Sequence, residues 1–168
     1  MNVLAIETTG PCGGVAALQN NQLVLAIDLL KPQTTVEFLA PTIKSVLKQV
    51  NWRPTEVELV AVAIGPGSFT GLRIGVTTAK TFAYAAEAEI IGVNTLQVIA
   101  ARAPEAATDL SAVMDAQRNQ VYCGRLRRQS GEPWEWVEET AILDADAWLD
   151  QLQPGQAVTG PGLGKLES

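Results

Sequence analysis

The sequence predicts an α/β protein of two lobes, each running strand, strand, strand, helix, strand. Three observations carry this. Short apolar runs rich in valine and isoleucine, the mark of strands, are followed by stretches in which apolar residues recur at three and four positions, the mark of helices. The order of elements begins again after a boundary at Pro104 to Asp109. Each half opens with a strand that ends in a carboxylate and turns into a second strand: Glu7 in "VLAIETTGPCGGVAAL" and Asp115 in "SAVMDAQRNQVYCGRL". The lobes are therefore expected at 1–104 and 105–168.

The elements follow in order. "NVLAI" is a strand closing at Glu7, "TTGPCGG" a turn, and "VAALQ" and "QLVLAIDLL" a hairpin over the polar pair "NN". From Thr34 the stripe Val36, Leu39, Ala40, Ile43, Val46, Leu47 and Val50 predicts an amphipathic helix. Pro41 falls inside it and is expected to kink it or force a later start. A strand at Leu59 to Ile64 leads into a glycine-rich loop. "TGLRIGVTTAKTFAYAAEA" is then a helix of about four turns by its alanine content and lack of proline. "EIIGV" is a strand, and "NTLQVIAARA" a short helix capped by Asn94 or Thr95. The second half adds the two strands around Asp115, "EWVEE" as a third, "DADAWLDQL" as a helix and "QAVTG" as a last strand.

Composition bounds the chemistry. With 168 residues, 47% of them hydrophobic, the chain fits one compact domain or two small lobes. The formal charge of −6 repels nucleic acid and anionic membrane. Direct nucleic-acid binding is accordingly not expected, and Arg125, Arg127 and Arg128 in "GRLRRQ" are read as a solvated strand edge. Cys12 and Cys123 form no disulfide framework, and the opening residues lack a signal peptide's pattern. A reduced cytoplasm without membrane association is the expectation. Histidine is absent, which excludes histidine triads, Cys-His pairs and histidine-containing zinc motifs. No calcium-loop spacing of carboxylates is present.

The segment "AIGPGSFTGLRIG", Ala63 to Gly75, lies where phosphate loops form, between a strand and a helix. A Walker loop needs four residues between its glycines and then Gly-Lys-Ser/Thr, whereas three separate Gly67 from Gly71 and Leu72-Arg73 follow. The dinucleotide pattern fails at its third glycine, which is Thr70, and the next strand ends in "GVNT" without an acid for a ribose. A packing role explains more of the letters. Gly65 and Gly67 allow a tight turn, Ser68 or Thr70 caps the helix, and Gly71, Gly75, Ala79 and Ala83 recur every fourth residue, a stripe that lets another helix approach closely. That contact can lie within the monomer or between chains. Leu72, Ile74, Val76 and Phe82 around the same helix leave apolar surface to spare, which favours a second partner.

"GPGSFTGLRIG", with "LAIETT" at Leu4 to Thr9, "IIGVNTL" at Ile90 to Leu96 and "MDAQRNQVY" at Met114 to Tyr122, resembles the TsaB family over most of the chain. The resemblance implies an actin-like ATPase fold, also called ribonuclease H-like, with two lobes of β-β-β-α-β type. Chains of that family usually continue past "GPGLGKLES", so the second lobe is expected to be short or truncated. It further implies a non-catalytic dimerisation and activating subunit in the synthesis of threonylcarbamoyladenosine beside the tRNA anticodon. Such a subunit pairs with the catalytic homologue TsaD, helps recruit the ATPase TsaE and self-associates when alone. The partner interface carried over is Gly71, Leu72, Gly75, Ala79, Phe82 and Ala83, with the helix at Val36 to Val50 beside it. No catalytic residue, metal or cofactor is expected. The alternative is a small actin-like kinase with Glu7 or Asp115 as base and magnesium-bound ATP.

Overall fold

The computed structural model describes residues 1–10, 13–29 and 35–166, and the side chains of 1–10, 13–29 and 37–164. The chain divides into two compact units, Met1–Val93 and Asn94–Ser168. The division falls ahead of the boundary expected near 104, because the short helix after Asn94 buries Leu96 and Ala100 against the second unit's strands.

In the first unit, β1 (Asn2–Glu7), β2 (Gly13–Gln19), β3 (Gln22–Leu29), β4 (Leu59–Ala63) and β5 (Glu89–Val93) form a five-stranded sheet in the order β3-β2-β1-β4-β5. β1, β2 and β3 pair antiparallel, while β4 and β5 run parallel to β1. Asn20 and Asn21, at φ 52 and 65, make the hairpin between β2 and β3, the left-handed pair that matches strand twist. α1 (Thr35–Gln49) and α2 (Phe69–Ala86) cover one face. Its core is built from Leu4, Ile6, Val15, Ala17, Val60 and Val62 of the strands with Leu39, Ile43, Val46 and Ala79 of the helices. A 3-10 turn at Pro54–Glu56 precedes β4.

α1 begins at Thr35 and continues through Pro41, so the proline does not delay its start. Pro41 is exposed, so the donor it removes lies on the solvent side of the helix. The expected start at Thr34 lies outside the described residues.

The register fixes what the opposite face carries. One row of partnered residues is Leu23, Leu18, Val3, Leu59 and Glu89; the next is Ala26, Ala16, Ala5, Ala61 and Ile91. These residues remain half-buried or exposed, in contrast to their neighbours on the helix side.

The second unit repeats the order. β6 (Asp109–Gln117), β7 (Gln120–Arg127), β8 (Glu135–Asp144) and β9 (Ala157–Thr159) form a sheet ordered β8-β7-β6-β9, with β9 parallel to β6. α3 (Thr95–Ala100), α4 (Ala145–Leu149) and α5 (Leu163–Leu166) complete it. One cluster packs Leu96, Ala100, Leu110 and Leu126, another Val113, Val121, Cys123 and Trp148. The paired lobes, each with three antiparallel strands and then a parallel one, are the actin-like arrangement that the resemblance implies.

Candidate functional site

The glycine-rich segment is built around two threonines. β1 ends at Glu7, and Thr8 and Thr9 that follow are buried. Thr8 Oγ1 donates to the Gly71 carbonyl at 2.8 Å, and the Ser68 amide donates to the Thr9 carbonyl at 2.8 Å. Every side of this junction requires glycine. A methyl on Gly67, which has φ 152, would lie 2.6 Å from both Cβ and the carbonyl oxygen of Thr9. Methyls on Gly71 and Gly75 would overlap the Thr8 carbonyl oxygen and the Thr8 hydroxyl. Ser68 caps α2 by accepting from the Gly71 amide at 3.2 Å, as one of the two expected caps.

Gly71, Gly75, Ala79 and Ala83 are all buried, so within the single chain the stripe faces the unit's own core. The close approach that it permits is that of Thr8 and the end of β1, not of another helix as expected. Leu72 is half-buried beside Gly65, and Phe82 packs on the core edge together with Ile74 and Val76. Little of the apolar surplus read around this helix is therefore left free by those four. The large side chains α2 exposes are Phe69, with the Arg73 guanidinium 5.5 Å from its ring centre, and Tyr84.

Sequence reasoning set α1 and α2 side by side at the pairing surface but did not foresee the groove between them. It has a volume of about 730 Å³ and is walled by Ala40, Ile43, Leu47, Trp52, Thr78 and Phe82, among others. Of the six residues named for the interface only Phe82 lines it, together with Ala40, Ile43, Lys44, Leu47 and Lys48 of the helix expected beside it. The signal was present in the letters: Ala40 and Thr78 are small residues on the flank of each apolar stripe.

The acidic strand ends are occupied. Glu7 Oε1 accepts from the Thr9 amide at 2.5 Å and from the Thr9 hydroxyl, which closes the turn after β1. Asp115 Oδ1 accepts from the Gln117 amide at 2.6 Å. Among the described residues, no three Cys, Asp or Glu side chains gather as metal ligands.

Of the three arginines expected at a solvated edge, Arg127 is exposed and Arg125 and Arg128 are half-buried, and all three are engaged. Arg125 grips Asp109 with two nitrogens at 2.8 and 3.0 Å, and Arg127 adds bonds at 3.1 and 2.8 Å to the same carboxylate. Arg128 donates to the carbonyls of Ala107 and Pro104 and lies 4.3 Å from the Trp134 ring centre. The hydrogen bonds from Arg125, and secondarily Arg127, hold the Asp109 carboxyl below its usual range. Burial, with the Glu138 charge second, pushes the Cys123 thiol up. No described helix is long and apolar enough to cross a membrane.

A family model described as "TsaD: tRNA N6-adenosine threonylcarbamoyltransferase" matches residues 33–159. The chain is 34% identical over 154 residues to the "tRNA threonylcarbamoyladenosine biosynthesis protein TsaB" of Bacillus subtilis, covering 91% of this chain and 66% of that one. To the protein of the same name from Escherichia coli it is 33% identical, over 91% of this chain and 67% of the relative. It thus spans about two thirds of the length of these curated relatives. A solved structure, "YeaZ from Pseudomonas aeruginosa", superposes with a TM-score of 0.88 at 25% identity over 99% of this chain and 78% of that one. By sequence over nine-tenths of its length, and by fold, the chain belongs to the TsaB family, whose members are named for tRNA threonylcarbamoyladenosine biosynthesis.

Proposed function

We propose that this chain is a non-catalytic dimerisation and activating subunit for threonylcarbamoyladenosine synthesis on tRNA, pairing with the catalytic subunit TsaD. The α1–α2 groove is the observation that carries the reading. An apolar trough between two parallel-packed helices fits helices of a similar partner, and its flanks of Ala40, Thr78, Thr81 and Ala85 allow close approach. The pairing face accordingly moves from the buried glycine stripe to the outer sides of α1 and α2, with Phe82 common to both. Self-association through the same groove, and recruitment of a TsaE-like ATPase to the assembled pair, follow from this reading. The role is positional: pairing energy holds the partner in its working state.

Two features support a subunit over an actin-like kinase. Glu7 is engaged in tying its own turn, and the glycine loop after β4 is packed closely against Thr8 and Thr9. The test is light scattering on this chain, alone and mixed with the same organism's TsaD. A mixed dimer that replaces the homodimer supports the proposal. Unchanged masses, together with tight magnesium-dependent ATP binding that Asp115→Ala removes, would return the kinase reading.

A further inference from the structure

The charged side chains in the wall of the α1–α2 groove are Lys44 and Lys48, one turn apart on α1 and both exposed. Across from them α2 contributes Thr77, Thr78 and Thr81, which carry no charge. Among the described residues, no carboxylate lies within ion-pair distance of either lysine. The described acids of the unit stand elsewhere. Glu37 lies a turn before the wall begins at Ala40, and Glu56 is bonded to Arg53. Glu58, Glu87 and Glu89 line a neighbouring hollow with Met1, while Glu7 ties its own turn and Asp28 lies on β3. With Arg73 and Lys80 of α2, the two helices hold four cations against the one carboxylate of Glu37, a net of +3. The rest of the chain holds eight cations and seventeen carboxylates, a net of −9.

We propose that Lys44 and Lys48 set the choice of partner, favouring a helix that lays carboxylates against α1 over a second copy of this chain. The proposal rests on the pairing reading above and adds its selectivity. A self-pair through this groove is isologous, wall against wall, so four lysines enter one contact and neither wall brings a carboxylate. Removing like charges from water together is costly, and mobile salt reduces that cost. A partner helix with Asp or Glu one turn apart meets both lysines, and salt weakens that attraction. The two pairings therefore respond to ionic strength with opposite sign, and the repulsive element acts against the second copy.

The test is sedimentation of this chain, alone and mixed with the same organism's TsaD, at about 50 mM and about 500 mM NaCl. From low to high salt the self-pair should tighten at least threefold and the mixed pair weaken at least tenfold. In Lys44→Gln/Lys48→Gln, whose exposed positions leave folding intact, the self-pair at low salt should tighten at least threefold and the mixed pair weaken at least tenfold. Both salt responses should flatten in that variant, which separates charge from a general effect of salt on apolar contact. A self-pair that the double variant leaves unchanged or weakens, or a mixed pair that it leaves unchanged, would overturn the proposal while the pairing itself stood. Absence of both pairs at either salt concentration would instead overturn the pairing reading, and this proposal with it.

Discussion

The Thr8 hydroxyl occupies the space in which a side chain on Gly75 would have to begin. That relationship answers what the glycines of α2 are for: Gly71 and Gly75, one turn apart, give up a Cβ so that the end of β1 can pass against the helix. Gly75→Leu is therefore expected to unfold the first unit, not merely to disturb a partner interface.

The two glycines should differ in tolerance. At Gly71 the obstruction is a backbone carbonyl, which cannot rotate away; at Gly75 it is a hydroxyl. Gly71→Ala should cost about 3 kcal/mol and Gly75→Ala about 1–2 kcal/mol, the range for overpacked sites. Thr8→Ala should recover part of the second loss and none of the first. Urea unfolding of the single and double variants measures this coupling.

Thr81 is exposed on the groove's rim, so Thr81→Arg should leave the urea midpoint within about 0.5 kcal/mol of the parent. The same change should lower affinity for TsaD, and for a second copy, at least tenfold. Sedimentation of the mixture reads both outcomes.

Asp109 fixes the acid limb of the second unit. Its carboxyl titrates lower in the folded chain than in the unfolded one because Arg125 and Arg127 bond the charged form. A depressed group contributes its stability above the unfolded pKa and loses it as pH falls through the folded one. Stability should thus decline as pH drops below the ordinary aspartate value of about 4. In Asp109→Asn that part of the decline should be missing, with a loss of about 1 kcal/mol at neutral pH. Urea midpoints from pH 7 to 2.5 test the sign.

Cys123 is buried and its thiol is pushed up, so in a Cys12→Ser background it should resist iodoacetamide at pH 8 in the folded protein. Modification should become fast once urea unfolds the second unit. Mass spectrometry of the alkylated chain follows the change.

The strands of both lobes were legible because their apolar alternation and the polar turns between them are local properties. Asn20-Asn21 and the Ser68 cap were legible for the same reason. Which way a stripe faces is not local. Gly71 to Ala83 reads equally well as an interface and as a helix seat, and the decision rests on Thr8 and Thr9, sixty residues earlier. The helix after Asn94 followed the same logic, since Leu96 and Ala100 could have packed on either lobe. β8 runs to Asp144, beyond "EWVEE", because pairing with β7 holds Ala141 to Leu143 extended against their weak local preference. α5 is a single short turn with no periodicity to read.

Trp52 is the one tryptophan of the first unit, and it stands in the groove wall, while Trp134, Trp136 and Trp148 all belong to the second unit. The molecule therefore carries its own optical labels. Replacing the three indoles of the second unit with phenylalanine leaves an emitter whose colour reports water leaving the groove, so occupancy by a partner becomes visible without any attached dye.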